Sequence, residues 1–340
     1  MLINMSKELS NYINKYVNTN KPGNLVLDTS TIYNITAYRT QQIDNFVNLK
    51  RVNEIRRVNK FFENINENIN IGCYYIGCVE TFDQRKSRLL TKYNIIFRHL
   101  FLILDFIFYR VFPKVKITQK FYFFITRGRG RVFSKSEILG RLVSCGFKIV
   151  DIKEIQNIYY FVVKKSSVPS FDMNPSYGPI FKMQRIGRFG EPLGVYKFRT
   201  MYPYSEYLQE YIYELNGYSD DGKISDDFRI TKWGKLLRKY WLDEIPQLLN
   251  VIKGEMDIVG CRPLSKLMYS QYPKDILKIR NKYKPGCIPP YVSLLMAENN
   301  ASIEAEKIYL KEKQKQPMKT QIKYFYLAFY NILSNKIRSL

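Results

Sequence analysis

Histidine and cysteine are scarce in this chain of 340 residues. It has one histidine, His99, and five cysteines: Cys73, Cys78, Cys145, Cys261 and Cys287. The cysteines are too few and too scattered for a disulfide framework, and no close group of Cys and His has the spacing of a zinc site. His99 lies in an apolar run, where a packed or interfacial histidine is commoner than a catalytic one. These features disfavour hydrolases that need a catalytic histidine and favour a reducing cytoplasm.

Long apolar runs are also lacking. No stretch reaches the roughly 18 charge-free apolar residues of a membrane-spanning helix. The nearest candidate, residues 95–112, is interrupted by Arg98, Asp105 and Arg110. The first twenty residues are polar and lack the apolar core of a secretory signal. We therefore expect neither a spanning helix nor a signal peptide.

Acidic residues are in deficit. The chain has 30 Asp and Glu against 54 Lys and Arg, so its formal net charge is +24 at pH 7. Such an excess indicates an anionic partner, which could be nucleic acid, an acidic membrane surface or phosphorylated substrates. The excess is sharpest from Arg85 to Arg131, where twelve basic residues accompany a single acid, Asp105.

Residue patterns divide the chain into two parts. We predict an N-terminal α/β domain over residues 1–165 that contains the basic, apolar segment 85–131, then a Ser/Pro-rich linker over 166–177. In the first part, Ser134 and Glu137 have the spacing of a capping box. The predicted elements of this part are helices over 1–21, 45–66, 93–112 and 134–145, and strands over 69–79, 147–152 and 158–163.

The second part, residues 178–340, is predicted to be the catalytic domain. A hairpin is expected with strands at 180–186 and 195–200, and a short strand at 256–259. The fold class that follows is α/β (α+β), with helices around a short sheet in the catalytic domain and a separate N-terminal α/β domain. The predicted helices of the second part cover residues 204–215, 231–240, 243–253 and 320–337, the last being amphipathic.

Polar motifs are densest between Lys197 and Pro263. Physically, they describe a helix that begins with Asp243 and Glu244 and has arginines before and after it. A helix N-terminus stabilises an ionised carboxylate, and arginine binds phosphate through two parallel hydrogen bonds. One carboxylate, Mg²⁺ and two arginines would suit phosphoryl transfer. The motifs are 197–201 (KFRTM), 226–231 (DDFRIT), 237–239 (LRK), 242–248 (LDEIPQL), 250–256 (NVIKGEM) and 259–263 (VGCRP).

From spacing alone, a plainer interpretation stays open. Asp243 could simply be the N-cap of its helix, with Arg238 as a surface partner. Adjacent carboxylates on a helix also point about 100° apart, so a facing pair of the glycosidase kind is disfavoured.

The ordered motifs resemble the bacterial sugar transferase family, the polyprenyl-phosphate glycosyl-1-phosphate transferases. The resemblance begins at 178–181 (GPIF) and 184–187 (QRIG), runs through the motifs above, and ends at 284–286 (KPG). It implies transfer of a sugar-1-phosphate from a UDP-sugar to polyprenyl (undecaprenyl) phosphate, which initiates capsule, exopolysaccharide or O-antigen synthesis. It also implies membrane association at the cytoplasmic face of the bacterial inner membrane, peripheral or monotopic.

The same resemblance assigns roles to residues. Asp243 matches the family's nucleophile, which forms an aspartyl-phosphosugar intermediate, and it would also hold Mg²⁺. Glu244 completes the acidic dyad. Arg199 has an alternative role as a brace of the hairpin. The residues expected to bind substrate or phosphate are Arg238, Arg262, Lys197, Arg199 and Arg229.

Departures from the family pattern are informative. Cys261 stands where the family usually has Pro, Trp241 replaces a small hydroxyl residue, and 287–290 (CIPP) follows the KPG motif. The family's membrane helix is missing directly before residue 178. Residues 93–112 are the expected substitute as an interfacial helix, with a buried helix as the alternative. The N-terminal half weakly resembles the later part of a class I methyltransferase, without a Gly-rich cofactor loop, and is interpreted as a degenerate scaffold.

Two other functions remain possible at this point. One is a basic nucleic-acid-binding protein, although no helix-turn-helix, zinc finger or stacking platform is evident, so no nucleic-acid partner is expected. The other is a catalytically inactive family member, which the intact Asp243, Glu244 and Arg262 disfavour.

Overall fold

The computed structural model describes residues 5–38, 43–92, 94, 97–171, 177–216, 226–296, 299–334 and 336–337. The chain forms two compact units. Unit 1 comprises Met1–Tyr177, Tyr202–Tyr218 and Ile224–Asp227, and unit 2 comprises Gly178–Met201, Ser219–Lys223 and Phe228–Leu340. Unit 1 thus includes a segment, 202–218, that comes from the second half of the chain.

Unit 1 is built on a five-stranded sheet. Its strands are β1 (Leu25–Leu27), β2 (Phe46–Arg51), β3 (Tyr74–Val79), β4 (Phe147–Ile155) and β5 (Ile158–Lys165), in the order β1-β2-β3-β5-β4. The first three are parallel, and β5 is antiparallel to both of its neighbours. The helices are α1 (Lys7–Asn14), α2 (Tyr33–Thr36), α3 (Val58–Asn68), α4 (Phe82–Lys92), α5 (Arg98–Phe106), α6 (Lys116–Thr126), α7 (Lys135–Ser144) and α8 (Gln209–Asn216).

Aromatic side chains fill the core of unit 1. The ring of Tyr75 lies 5.4 Å from that of Phe161, 5.8 Å from those of Phe46 and Phe147, and 5.9 Å from that of Phe62. All five residues are almost completely buried. Tilted and edge-on rings at these distances add to the stabilisation from burial alone, so the cluster holds α3 on the sheet.

Several of the helices and strands predicted for unit 1 are confirmed, and one predicted helix is wrong over half of its length. Strands β4 and β5 and helix α7 lie where expected, and the Ser134 hydroxyl caps α7 by accepting from the backbone N–H of Glu137. The predicted helix at 45–66 is wrong in its first half, which forms β2 and a short 3-10 helix at Val52–Glu54. The reason is that β2 lies between two strands and buries consecutive residues, and such a run resembles a buried helix in sequence.

The predicted helix at 93–112 is largely present, although residues 93, 95 and 96 lie outside the described part. It consists of α5, a π-helix at Ile107–Val111 and a 3-10 helix at Phe112–Lys114. No residue of α5 is buried. The alternative of a buried helix is therefore wrong for residues 98–106.

Unit 2 consists of two small two-stranded sheets surrounded by helices. β6 (Ile180–Ile186) and β7 (Pro192–Phe198) form the expected hairpin, and β8 (Asp257–Val259) pairs in parallel with β9 (Gly286–Ile288). A 3-10 helix covers Leu242–Gln247. The α-helices are α9 (Lys232–Lys239), α10 (Leu248–Ile252), α11 (Lys266–Gln271), α12 (Lys274–Arg280), α13 (Pro290–Leu294), α14 (Asn299–Lys315) and α15 (Pro317–Leu333).

The predicted α/β (α+β) class is confirmed by these elements. Helix α9 is capped by Thr231 as expected, and the predicted C-terminal helix corresponds to α15. Among the residues described, no helix is both long and apolar enough to cross a membrane.

Candidate active site

The 3-10 helix Leu242–Gln247, here called the site helix, carries both acidic candidates. It begins after Trp241, whose backbone is left-handed with φ 57°, and it contains Pro246, which has no N–H to donate. Asp243 is inside this helix and not at its N-cap, which is Trp241 without a side-chain cap bond. The interpretation of Asp243 as an N-cap is therefore wrong. Its side chain is instead buried, with 4% of the residue's surface exposed.

Asn250 connects the site helix to the hairpin. It lies in α10, which continues directly from the site helix, and it is fully buried. Its Nδ2 donates to the carbonyl oxygen of Gly194 at 2.9 Å and to Oε2 of Glu255 at 2.7 Å, and its Oδ1 accepts from the backbone N–H of Tyr196 at 3.1 Å. Buried polar groups that are fully bonded fix the geometry around them. Asn250 thus fixes the position of α10, and of the site helix that precedes it, relative to strand β7.

Lys197 and Glu244 form the ion pair at the centre of the site. Lys197 is near the end of β7, and its Nζ contacts Oε1 of Glu244. Both side chains are mostly buried, with 14% and 11% exposed. A buried pair of this kind loses much of its hydration and depends on its geometry. Glu244 is therefore paired with Lys197. Asp243 is the other carboxylate of the site helix.

Arg262 follows β8 and is positioned by contacts with Tyr291 and Arg280. Its Nη1 donates to the hydroxyl of Tyr291 at 3.2 Å, and its carbonyl oxygen accepts from Arg280. Arg280 is itself buried and paired with Glu306 at 2.7 Å. Burial raises the pKa of Tyr291, with the positive charge of Arg262 opposing. The hydroxyl therefore stays neutral and accepts from the guanidinium of Arg262.

Glycines allow the support of Arg262 to pack closely. A Cβ atom at Gly286 would lie 1.9 Å from the backbone nitrogen of Gly260. Since real Cβ contacts are never so short, only glycine permits this approach of β9 to the segment after β8. The closely packed pair explains why motifs 259–263 and 284–286 both contain glycine.

Arg185 belongs to the same cluster and was missed in the sequence. Burial lowers the pKa of Arg185, as does the positive charge of Arg262, while the negative charge of Glu244 opposes them. Arg185 is on β6 and shares a face of the hairpin with Lys197, because Phe181 pairs with Lys197 and Arg185 is four residues further on. Strand alternation around the QRIG motif was the signal that could have identified it.

The other predicted arginines have contacts of their own. Arg238, in the last turn of α9, donates from Nε to the hydroxyl of Thr200 at 3.0 Å. Arg199 donates from Nε to the carbonyl of Gly178 at 3.0 Å, and its guanidinium lies 5.1 Å from the ring centre of Phe181. The two contacts of Arg199 are those expected of a residue that braces the hairpin. Arg229 is buried just before α9. A role in phosphate binding stays a prediction for all three.

A magnesium ion at this site stays a prediction, and it would have to be held partly by substrate. Within the described ranges, no group of three or more His, Cys, Asp or Glu side chains could enclose a metal. Glu244 is paired with Lys197, and Asp243 lies beside it on the same helix. Mg²⁺ commonly binds through one or two carboxylates together with substrate phosphates and water. A single carboxylate at this position is compatible with that coordination.

Comparison with known proteins identifies relatives for the part of the chain that contains the site. Residues 170–325 match the family profile described as bacterial sugar transferase. The chain is similar to a galactosyl transferase, CpsE, of Streptococcus agalactiae serotype III, with 41% identity over 111 residues, which are 32% of this chain and 24% of the relative. It is also similar to the undecaprenyl-phosphate galactose phosphotransferase of Salmonella typhimurium, with 41% identity over 108 residues, 29% of this chain and 22% of the relative.

A third relative is an uncharacterized sugar transferase, EpsL, of Bacillus subtilis, with 39% identity over 106 residues, 31% of this chain and 46% of the relative. The chain thus spans less than half the length of each of these three relatives. The site helix, the hairpin and Arg262 all lie inside the matched region. Residues 170–325, which contain the candidate site, are thus similar to the bacterial sugar transferase family.

Proposed function

We propose that this chain is a phosphoglycosyl transferase, which moves a sugar-1-phosphate from a UDP-sugar to polyprenyl (undecaprenyl) phosphate. The observation that carries the proposal is the buried Asp243 beside the Lys197–Glu244 pair. The names of several relatives support it, among them a UDP-glucose:undecaprenyl-phosphate glucose-1-phosphate transferase of Klebsiella pneumoniae that is 39% identical over 118 residues.

The reaction would proceed in two displacements at one phosphorus. An oxygen of the Asp243 carboxylate attacks the β-phosphorus of the UDP-sugar, and the bond to the bridging oxygen breaks, so that UMP leaves. An oxygen of the polyprenyl phosphate then attacks the phosphosugar on Asp243, and the carboxylate leaves. A covalent intermediate of this kind replaces one difficult step by two easier ones.

The surrounding residues would bind and orient the phosphates. Arg262 and Arg185 each offer a planar guanidinium, which matches two phosphate oxygens. The pair of Lys197 with Glu244 keeps a cation and an anion fixed beside the nucleophile. Mg²⁺, held by Asp243 together with the substrate, would neutralise charge on the diphosphate.

The product would be a lipid-linked sugar that initiates capsule, exopolysaccharide or O-antigen synthesis. Since the acceptor phosphate lies at a lipid surface, the enzyme would work at the cytoplasmic face of the bacterial inner membrane. Unit 1 would serve as a scaffold of degenerate methyltransferase type.

The test is UMP release from a panel of UDP-sugars with undecaprenyl phosphate in detergent. We expect Asp243→Asn to lower turnover about a thousandfold or more, because loss of a covalent nucleophile has effects of this size. Asn has the shape of Asp, so the thermal midpoint should change little. Asp275→Asn, an exposed acid on α12, is the matched control and should keep the wild-type rate. Wild-type turnover in Asp243→Asn, or no UMP from any sugar, would refute the proposal.

A further inference from the structure

Helix α5 exposes apolar side chains that the catalytic proposal does not use. None of its residues is buried, and the exposed fractions of five of its six large apolar residues lie between 37% and 57%. A helix of a water-soluble domain normally turns its apolar stripe toward the core. The exposed apolar residues of α5 are Leu100, Phe101, Ile103, Leu104 and Phe106.

Helix α6 repeats this arrangement with a clearer division of faces. Ile117, Phe121, Phe124 and Ile125 are exposed by 89%, 56%, 85% and 52%. Their spacing of four, three and one residues places them on one stripe. Tyr122, on another face, is fully buried, and its hydroxyl donates to the carbonyl of Arg129 at 2.7 Å. The helix is thus anchored by Tyr122 and turns an apolar stripe to the outside.

A basic groove borders the α6 stripe. Its volume is about 510 Å³, and Phe124 belongs to both the groove and the stripe. The guanidinium of Arg56 lies 5.8 Å from the ring centre of Phe123. Arg131 fixes the backbone just before α3 by donating to the carbonyl oxygens of Ile55 at 2.7 Å and Arg56 at 2.8 Å. The groove is lined by Arg56, Arg57, Gln119, Lys120, Phe123 and Phe124.

Basic residues predominate in the segment that contains these helices. Asp105 is the only acid between residues 85 and 131. Both of its oxygens accept from Arg85, at 2.7 and 2.8 Å, so its charge is compensated within the fold. Exposed apolar stripes beside the cations of the groove match the chemistry of an anionic lipid surface, which offers acyl chains next to phosphates.

We propose that α5 and α6 form a membrane-docking surface, with the phosphate of an anionic phospholipid in the groove between Arg56, Arg57 and Lys120. Arginine forks bind phosphate through paired hydrogen bonds, and the aromatic stripe would enter the boundary between headgroups and acyl chains. The inference rests on the proposed function for its biological role. Vesicle binding needs no UDP-sugar, however, so the two proposals can fail separately.

The experiment is flotation of the full chain with phosphatidylcholine vesicles and with vesicles of 70% phosphatidylcholine and 30% phosphatidylglycerol. We expect the wild type to float with the anionic vesicles. The double variant Phe121→Ser/Phe124→Ser should partition at least about tenfold less, because the apolar burial is lost. Arg56→Ala/Arg57→Ala should weaken binding to anionic vesicles about tenfold and change binding to neutral vesicles little.

Matched controls separate docking from folding. Ile71→Ser, at a position of unit 1 that is 75% exposed, should bind as the wild type does, and all variants should keep the wild-type thermal midpoint. Failure of the wild type to float overturns the proposal, as does wild-type flotation by the double phenylalanine variant. Loss of flotation in Met318→Ser/Phe329→Ser instead would overturn it in favour of α15. Concentration-dependent self-association that disappears in Phe121→Ser/Phe124→Ser, without vesicle binding, would overturn it in favour of a second copy.

Discussion

Arg262 is held at both its guanidinium and its backbone. Its substitution should therefore lower activity with the UDP-sugar. Tyr291 contacts the side chain and Arg280 the carbonyl oxygen. We expect Arg262→Ala to lower kcat/KM for the UDP-sugar about a hundredfold and Arg262→Lys to lower it less, since an ammonium restores charge but not the planar fork. UMP release with varied UDP-sugar measures both constants. The exposed Arg188 of the same unit is the control, and Arg188→Ala should keep the wild-type value. Equal rates in all three variants would make Arg262 a purely structural residue.

Single residues also show what the sequence could predict about the site. Lys197, Glu244 and Arg262 were identified from motifs, and the structure places them in one cluster with Arg185. Arg185 escaped notice because a lone arginine in a strand is usually a solvated side chain. Its interaction with Arg262 and Glu244 depends on packing between distant segments, which spacing along the chain does not encode.

At the scale of elements, Asn250 is the residue that fixes the site helix to β7. Asn250→Ala would leave up to three hydrogen-bonding partners unmatched in a buried place. We expect a loss of about 3 kcal/mol in the free energy of unfolding and a lower kcat, because the Lys197–Glu244 pair spans the same two elements. Chemical denaturation and UMP release measure the two effects. Asn14→Ala, at an exposed position of α1, should change neither, and an unaltered unfolding curve for Asn250→Ala would contradict this role.

Glu137 on α7 holds together several elements of unit 1. It is fully buried and contacts Lys114 at 2.7 Å, Arg141 at 3.1 Å and Arg110 at 3.6 Å. Burial alone would raise the pKa of Glu137, but these three cations outweigh it and lower the pKa to about 2. The capping-box prediction was therefore right for Ser134 and wrong for Glu137, whose side chain serves this cluster.

The lowered pKa of Glu137 predicts an acid-sensitive stability. The pKa of Glu137 in the folded protein is below its ordinary value of 4.5, so the stabilisation is complete above about pH 4.5 and is lost as pH falls through about 2. The loss should be about 3 kcal/mol, measured as the free energy of unfolding against pH. Glu137→Gln should be less stable at neutral pH, and its curve should approach the wild-type curve in acid. Glu8→Gln, at an exposed site, should run parallel to the wild type. Parallel curves for Glu137→Gln would contradict the assignment.

Elements were predicted unevenly for physical reasons. The hairpin of β6 and β7 and the capped helix α9 carry local signals, namely turn residues and a Thr cap, and both were found. Helix α6 was missed because its run 121–125 (FYFFI) is aromatic and β-like in composition. Its exposed stripe also differs from the pattern of a helix that packs on a core.

At the scale of the whole molecule, the predicted linker does not mark the boundary between the two units, because unit 1 also includes residues from beyond it. Residues 202–218 belong to unit 1, although they lie beyond residues 166–177. Close packing holds them there, since a Cβ atom at Gly140 would be 2.2 Å from the carbonyl oxygen of Tyr204. The Ser/Pro content of the linker was visible in the sequence. A contact between residues 64 positions apart leaves no comparable local pattern.

In the proposed reaction, Asp243 carries the phosphosugar between two half-reactions. The most direct measurement omits the polyprenyl phosphate and incubates the enzyme with a UDP-sugar labelled in the sugar. We expect release of up to one UMP per enzyme and a label that stays on the denatured protein at Asp243, and neither should occur in Asp243→Asn. UMP release that depends strictly on the lipid acceptor, with no labelled protein, would contradict it.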